Sequence, residues 1–200
     1  MRSYLEQTGV KNYRIFNLAA GPQSGKIVKL RKVLTDPTGN FDDVTSGQYS
    51  TIAYEHKPNY KLSNEFEPCL SISLEDIFNV CNLDNISVMK VDIEGAEYDF
   101  LMNKVLTNIN SMYIEFHCGP KKNEELCRYL SKYFDIILAY TAKDDKTFTC
   151  RTLGGNDGAP FISLEQIDFS KELHNMSLLN KRLSTSEGTR FTLNDGDIHK

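Results

Sequence analysis

The stretch Ser87–Leu101, SVMKVDIEGAEYDFL, constrains the fold more than any other part of the chain. Val88, Met89, Val91 and Ile93 form a mostly apolar run, the pattern of a strand covered on both faces. Gly95 then permits a tight turn, and Ala96, Phe100 and Leu101 give the next segment an apolar helical face. Such a strand–turn–helix unit gathers Asp92, Glu94 and Glu97 where a central strand ends. In open α/β sheets ligands bind outside the carboxyl ends of the strands. A carboxylate at the end of a buried strand is costly unless something there uses it, so Asp92 is the first candidate for function.

Around this unit the sequence alternates. Met1–Thr8 reads as a short helix and Tyr13–Ala20 as a strand. Gly21-Pro22-Gln23-Ser24-Gly25 is a turn in hairpin register, returning through a second strand at Lys26–Val33. Thr35–Pro68 is polar and long, the kind of loop that is functional or mobile in a small domain, with room for a short strand at Tyr49–Ala53. Ser73 caps a helix, with Asp76 three residues on as its partner and Leu74, Ile77, Phe78 and Cys81 at helical spacing. A helix over Ala96–Leu106, a strand at Met112–His117 and an amphipathic helix over Asn123–Phe134 follow the central unit. Asp135–Ala142 and Thr147–Leu153 then pair as a hairpin across Asp144-Asp145. Alternating strands and helices predict an α/β fold with a mostly parallel sheet and an antiparallel C-terminal hairpin. The domain spans residues 1–169, and 170–200 form a polar C-terminal tail.

Composition narrows the function. A chain of 200 residues suits one core rather than two domains. Its net charge of −4 gives no support for a nucleic-acid partner. There is no apolar run of about 18 residues for a membrane span, and the opening residues lack the apolar region of a secretory signal. The cysteines, Cys69, Cys81, Cys118, Cys127 and Cys150, are odd in number and scattered, with no CxxC. They suit reduced thiols in a cytoplasmic protein.

Three blocks together resemble the FkbM-type methyltransferases, a branch of the S-adenosylmethionine-dependent class I methyltransferases. They are SLEDIF at Ser73–Phe78, VMKVDIEGAEYDFL at Val88–Leu101 and MYIEFH at Met112–His117. The resemblance implies a Rossmann-like methyltransferase sheet and O-methyl transfer from S-adenosylmethionine to a small-molecule or sugar hydroxyl. It implies that Asp92, Glu94 and Gly95 meet the cofactor and that Asp92, Glu115 and His117 carry the chemistry. One departure is plain. Such folds cradle their cofactor with a glycine-rich turn after the first strand and an acidic residue after the second. The only early glycine turn here, Gly21–Gly25, follows the strand that resembles the family's third. The chain therefore reads as an N-terminally truncated sheet whose exposed edges invite pairing with a second copy or another partner.

Methyl transfer requires an aligned acceptor and a group to take its proton. His117, with an ordinary pKa near 6.5, stands beside the acidic cluster as general base or as a hydrogen-bond partner of the substrate. Structural roles compete: Glu97 as a first-turn helix carboxylate, Glu94 as a cap, Asp92 on turn amides. The leading reading involves no metal. Two alternatives stand beside it. Asp92, Glu115 and His117 could hold Mg²⁺ or Mn²⁺ in a phosphodiesterase or nuclease, although no basic groove accompanies them. The other is a truncated, non-catalytic methyltransferase-like module.

Overall fold

The computed structural model describes residues 7, 9, 11–35, 49–50, 60–144, 147–154, 161–170 and 173–184. Its strands form two sheets rather than one. The first contains β1 (Ala19–Ala20), β2 (Ile27–Thr35), β3 (Tyr49–Ser50), β4 (Tyr60–Leu62) and β5 (Glu67–Ile72). The second contains β6 (Ile86–Val91), β7 (Ile109–Glu115), β8 (Phe134–Asp144), β9 (Thr147–Gly154) and β10 (Leu173–Asn180), in the order β6-β7-β10-β8-β9. Helices α1 (Leu74–Cys81), α2 (Glu97–Leu101), α3 (Pro120–Leu130) and α4 (Lys181–Ser184) connect or follow these strands.

The expected mostly parallel sheet is corrected. The parallel pairings are β1 with β5 and β6 with β7. The hairpin expected across Gly21–Gly25 is also replaced. Strand β5 lies between β1 and β2, parallel to one and antiparallel to the other. The polar groups of the turn are satisfied by β5: Gly21 N–H and Gly25 N–H donate to the carbonyls of Ile72 and Ser71, and the Ser71 hydroxyl donates to the Gln23 carbonyl. The strand expected over Tyr13–Ala20 reduces to its last two residues. The expected strand near Tyr49–Ala53 has its described part in β3, and Met1–Thr8 lies almost wholly outside the described residues.

Helix α1 starts where its sequence says it should. Ser73 is extended, and its hydroxyl accepts from Asp76 N–H and donates to the Asp76 carboxylate. Substituting such a cap costs about 1 kcal/mol. Asn82 closes the helix in the left-handed region at φ 53°. Helix α2, by contrast, is one turn long. The chain leaves helical geometry at Met102 and turns left-handed at Asn103, φ 62°, so the helix expected to reach Leu106 ends at Leu101.

The core lies on one face of the second sheet. Met112, Ile114 and Phe116 alternate along and just beyond β7 and are buried against Phe100, Leu101 and Leu106 of the α2 region and Leu126, Cys127 and Leu130 of α3. Strand β10 runs antiparallel to both β7 and β8 and adds Leu173, Met176 and Leu178 to this core. Leu173–Asn180, expected as part of a polar tail, is therefore a strand of this sheet. One of its polar residues ties it to the rest of the sheet. Buried Asn180 donates through Nδ2 to the Ile109 carbonyl at 2.8 Å, tying β10 to the start of β7.

The opposite face is open. Val88 is 72% exposed, so β6 is not covered on both faces as its apolar run suggested. It is an end strand of its sheet, and the side chains facing away from α2 and α3 line a concavity of about 720 Å³ that includes Val88, Lys90, Ser111, Tyr113, Glu115 and Leu179. Among the described residues, no helix is long and apolar enough to cross a membrane, and Cys69, Cys81, Cys118 and Cys127 are free thiols.

Candidate active site

The register of two parallel strands creates the site. Val91, the last residue of β6, lies opposite Ile114 of β7. The residues that follow on each strand, Asp92 to Glu97 and Glu115 to Cys118, therefore leave the sheet side by side. The turn after β6 takes Glu94 to φ 53° and Gly95 to φ 101°. A residue bearing a Cβ pays about 1–2 kcal/mol in left-handed backbone, which accounts for glycine at the second position. It also marks Glu94 as a residue held against its local preference.

That turn is held from within by Glu97. This carboxylate is 0% exposed and folds back over the turn that precedes it. Its Oε1 accepts from Ile93 N–H at 3.3 Å and Gly95 N–H at 3.1 Å, and its Oε2 also accepts from Gly95 N–H at 3.1 Å. The Cys118 thiol donates to Oε2 at 3.1 Å, and His117 Nδ1 stands 2.9 Å from Oε1. Backbone amides converging on one carboxylate make an anion nest, here filled by the chain's own side chain.

The electrostatics follow from these contacts. Burial alone would raise the pKa of Glu97, but the His117 contact and charge, the Cys118 thiol and the Gly95 amide outweigh it and bring it below the ordinary carboxylate value. Burial alone would lower that of His117, yet Glu97, Glu94 and Asp92 together hold it above the ordinary imidazole value. Burial, reinforced by the Glu97 charge, pushes the Cys118 thiol up to about 12. Cys118 is thus a hydrogen-bond donor at this site and not a thiolate nucleophile.

A second set of charges forms a rim around this centre. Asp92 is exposed and meets Lys90 Nζ at 2.9 Å, which corrects the expectation of a poorly solvated strand-end carboxylate. The strand to which it belongs has an open face, and Lys90 reaches over to pair with it. Burial tends to raise Asp92, but the Lys90 hydrogen bond and charge prevail and lower it. Glu115 goes the other way, pushed up by partial burial and by the neighbouring Asp92 carboxylate. Glu94 completes the ring, with Oε2 3.7 Å from His117 Nε2. Lys90 and Glu115 also line the concavity on the open sheet face, so the acidic cluster and the cavity are continuous.

The structure therefore brings together the residues singled out in the sequence: Asp92, Glu94, Gly95, Glu115 and His117. The N–H of Gly95 donates to the Glu97 carboxylate. Ligand atoms of Asp92, Glu94 and His117 lie within 4.8 Å of one another. Two hard carboxylate oxygens and an imidazole suit Mg²⁺ or Mn²⁺, so among the described residues Glu94 rather than Glu115 joins Asp92 and His117 in such a set. The residue that sequence reasoning undervalued is Glu97, read as a first-turn helix carboxylate. The available signal was its spacing. A glutamate two residues after Gly95 is close enough to bend back onto the turn amides.

A family model described as a methyltransferase FkbM domain matches residues 3–143. No curated protein and no solved structure matches the chain.

Proposed function

The chain belongs to the FkbM methyltransferase family, and from that premise we propose that it moves a methyl group from S-adenosylmethionine to a small-molecule or sugar hydroxyl at the Asp92–His117 cluster. The observation that carries this reading is the pairing of His117 with the buried Glu97 carboxylate at 2.9 Å, with the ring's other nitrogen facing the acidic rim.

The donor set suits a cationic cofactor. Asp92, Glu94, Glu97 and Glu115 surround one imidazole and one ammonium, so the cluster carries an excess of negative charge that favours a sulfonium centre and an α-amino group. The adjoining concavity of about 720 Å³ falls in the range of small-molecule sites. Asp92 and Glu94 would hold the cofactor's amino group. When bound, S-adenosylmethionine would supply an electrophilic methyl carbon to the acceptor oxygen, the electron pair of its bond to sulfur being left on sulfur. His117 takes the acceptor's proton at Nε2. Glu115, pushed up by its neighbours, donates or accepts a hydrogen bond at the acceptor side of the rim.

Labelled methyl transfer from S-adenosylmethionine to a panel of sugar and small-molecule hydroxyls tests this directly. The wild-type chain is expected to turn over. Asp92→Asn abolishes turnover while leaving the fold intact, and His117→Gln lowers kcat by about 10²-fold or more, the usual contribution of a general base. Full turnover in folded Asp92→Asn would remove Asp92 from the site. A second reading, divalent-cation-dependent phosphodiester hydrolysis, is favoured by the closeness of Asp92, Glu94 and His117. Hydrolysis that a chelator stops and Mn²⁺ restores would select it.

A further inference from the structure

We propose that the open face of the second sheet binds a neutral glycoside with an apolar tail. Glu115, Asn175 and Ser177 hold its hydroxylated head beside the acidic cluster, and Val88 and Leu179 carry the tail. That a hydroxyl of this head is the one methylated rests on the methyl-transfer reading above; the binding mode does not.

The register across three strands sorts this face by polarity. Toward the amino ends of β6 and β7, Val88 lies opposite Ser111, and Ser111 opposite Leu179. The Ser111 hydroxyl is occupied, donating to the Ser87 carbonyl at 2.9 Å, so this row offers mainly apolar contact. Leu183, which follows β10, lines the same concavity and lengthens its apolar wall. Two residues further along each strand, Lys90, Tyr113 and Ser177 lie side by side, and beyond them Glu115 lies opposite Asn175. Polarity therefore rises toward the carboxyl ends of β6 and β7, the end from which Asp92 and His117 leave the sheet. These rows line one concavity of about 720 Å³, so a single small molecule spans the gradient.

Three observations decide what suits that space. Asn175 Oδ1 is buried and has no hydrogen-bond partner among the described residues. A buried acceptor left unmatched costs stability and is uncommon in a folded chain, so it marks a place where an outside donor completes the set. Rotation about χ2, a soft torsion in asparagine, carries that oxygen into the concavity the residue lines. A ligand hydroxyl is such a donor. Charge sets the second limit. Asp92, Glu94 and Glu115 border the polar end, and Lys90 already pairs with Asp92 at 2.9 Å, so an anionic head is repelled. A sugar ring is neutral and presents several hydroxyls at once to side chains on strands about 5 Å apart. The third observation is Val88, an aliphatic side chain 72% exposed at the far end. An alkyl or aryl tail covers it and gains by leaving water.

Calorimetric titration of the full chain with the hexyl glycosides of glucose, galactose and mannose, each beside its methyl glycoside, tests this without cofactor. Saturable binding of at least one hexyl glycoside is expected, about tenfold or more tighter than its methyl counterpart, since each fully buried methylene is worth about fourfold. Val88→Ser narrows that gap by weakening the hexyl glycoside alone. Asn175→Leu weakens the hexyl glycoside about tenfold and leaves the thermal unfolding midpoint unchanged or raised, because it removes an unmatched acceptor. An asparagine with a purely structural role would lower the midpoint and leave binding alone, and that result would overturn the proposal. So would the absence of saturable binding by all three hexyl glycosides, or equal affinity for hexyl and methyl forms. Should Asn175→Leu fail to fold, the hexyl–methyl comparison and Val88→Ser decide the matter. If the hexyl glycoside binds as expected but labelled methyl transfer to it fails, the methyl-transfer reading falls and the binding site stands. If methyl transfer proceeds with no preference for a tail, the site falls and that reading stands.

Discussion

Two carboxylates five residues apart in the chain live in opposite surroundings. Asp92 stands on the exposed rim and is neutralised by a lysine from its own strand. Glu97 is sealed beneath the turn and occupied by two amides, a thiol and an imidazole. The difference teaches how a small acidic cluster divides its work. The buried carboxylate organises, because removing it leaves interior donors unmatched. The exposed one is free to engage a ligand, because its partner Lys90 is a surface side chain that water can replace.

If that division is correct, the largest effect belongs to Glu97→Ala. Removing one partner of a buried charged pair costs about 3–5 kcal/mol, and here Ile93 and Gly95 would lose their acceptor as well. Urea unfolding measures it, and a loss below about 1 kcal/mol would break the comparison. The pH dependence of stability sharpens it. Glu97 has a lowered folded-state pKa, so its contribution is present above its unfolded value of about 4.5 and is lost as pH falls through the lower folded value. His117 has a raised one, so its contribution is complete below about 6.5 and is lost as pH rises through the higher folded value. Thermal unfolding against pH should therefore show a stability shoulder between these limits, and His117→Gln should remove its alkaline side.

Smaller effects follow. Gly95→Ala places a Cβ on backbone at φ 101° and is expected to cost about 1–2 kcal/mol, again by urea unfolding. Asp92→Asn removes a charge that lies on the exposed rim and pairs with Lys90, so its stability change should be about 0–1 kcal/mol while methyl transfer is lost. A large stability loss there would erase the distinction between rim and centre. Val88→Ser, on the open sheet face, should change stability by no more than about 0.5 kcal/mol, against about 2–5 kcal/mol for Met112→Ala on the packed face.

The sequence announces local devices more clearly than long-range ones. The Ser73–Asp76 cap, the strand running into Asp92, the amphipathic α3 and the β8–β9 hairpin all carry their signal in neighbouring residues, and each is present. Strand β5 was read as the end of a loop and its sequel because Pro68 and Ser71 interrupt any apolar run, yet Ser71 is needed to satisfy the glycine turn. Strand β10 looked like a polar tail because its place between β7 and β8 depends on chain far upstream. The site shows the same limit. Asp92, Glu94, Glu115 and His117 could be named from strand ends, but whether each is buried depends on what covers the sheet. That is why Asp92 was expected to be poorly solvated and is exposed, while Glu97, read as a first-turn helix carboxylate, is fully buried.

The most direct measurement is calorimetric titration of the 200-residue chain with S-adenosylhomocysteine, with Asp92→Asn alongside. The expected result is saturable binding in the micromolar range by the wild-type chain and a marked weakening in the variant. Heat changes no larger than those of dilution, in a protein shown to be folded, would contradict the assignment of the acidic cluster to S-adenosylmethionine.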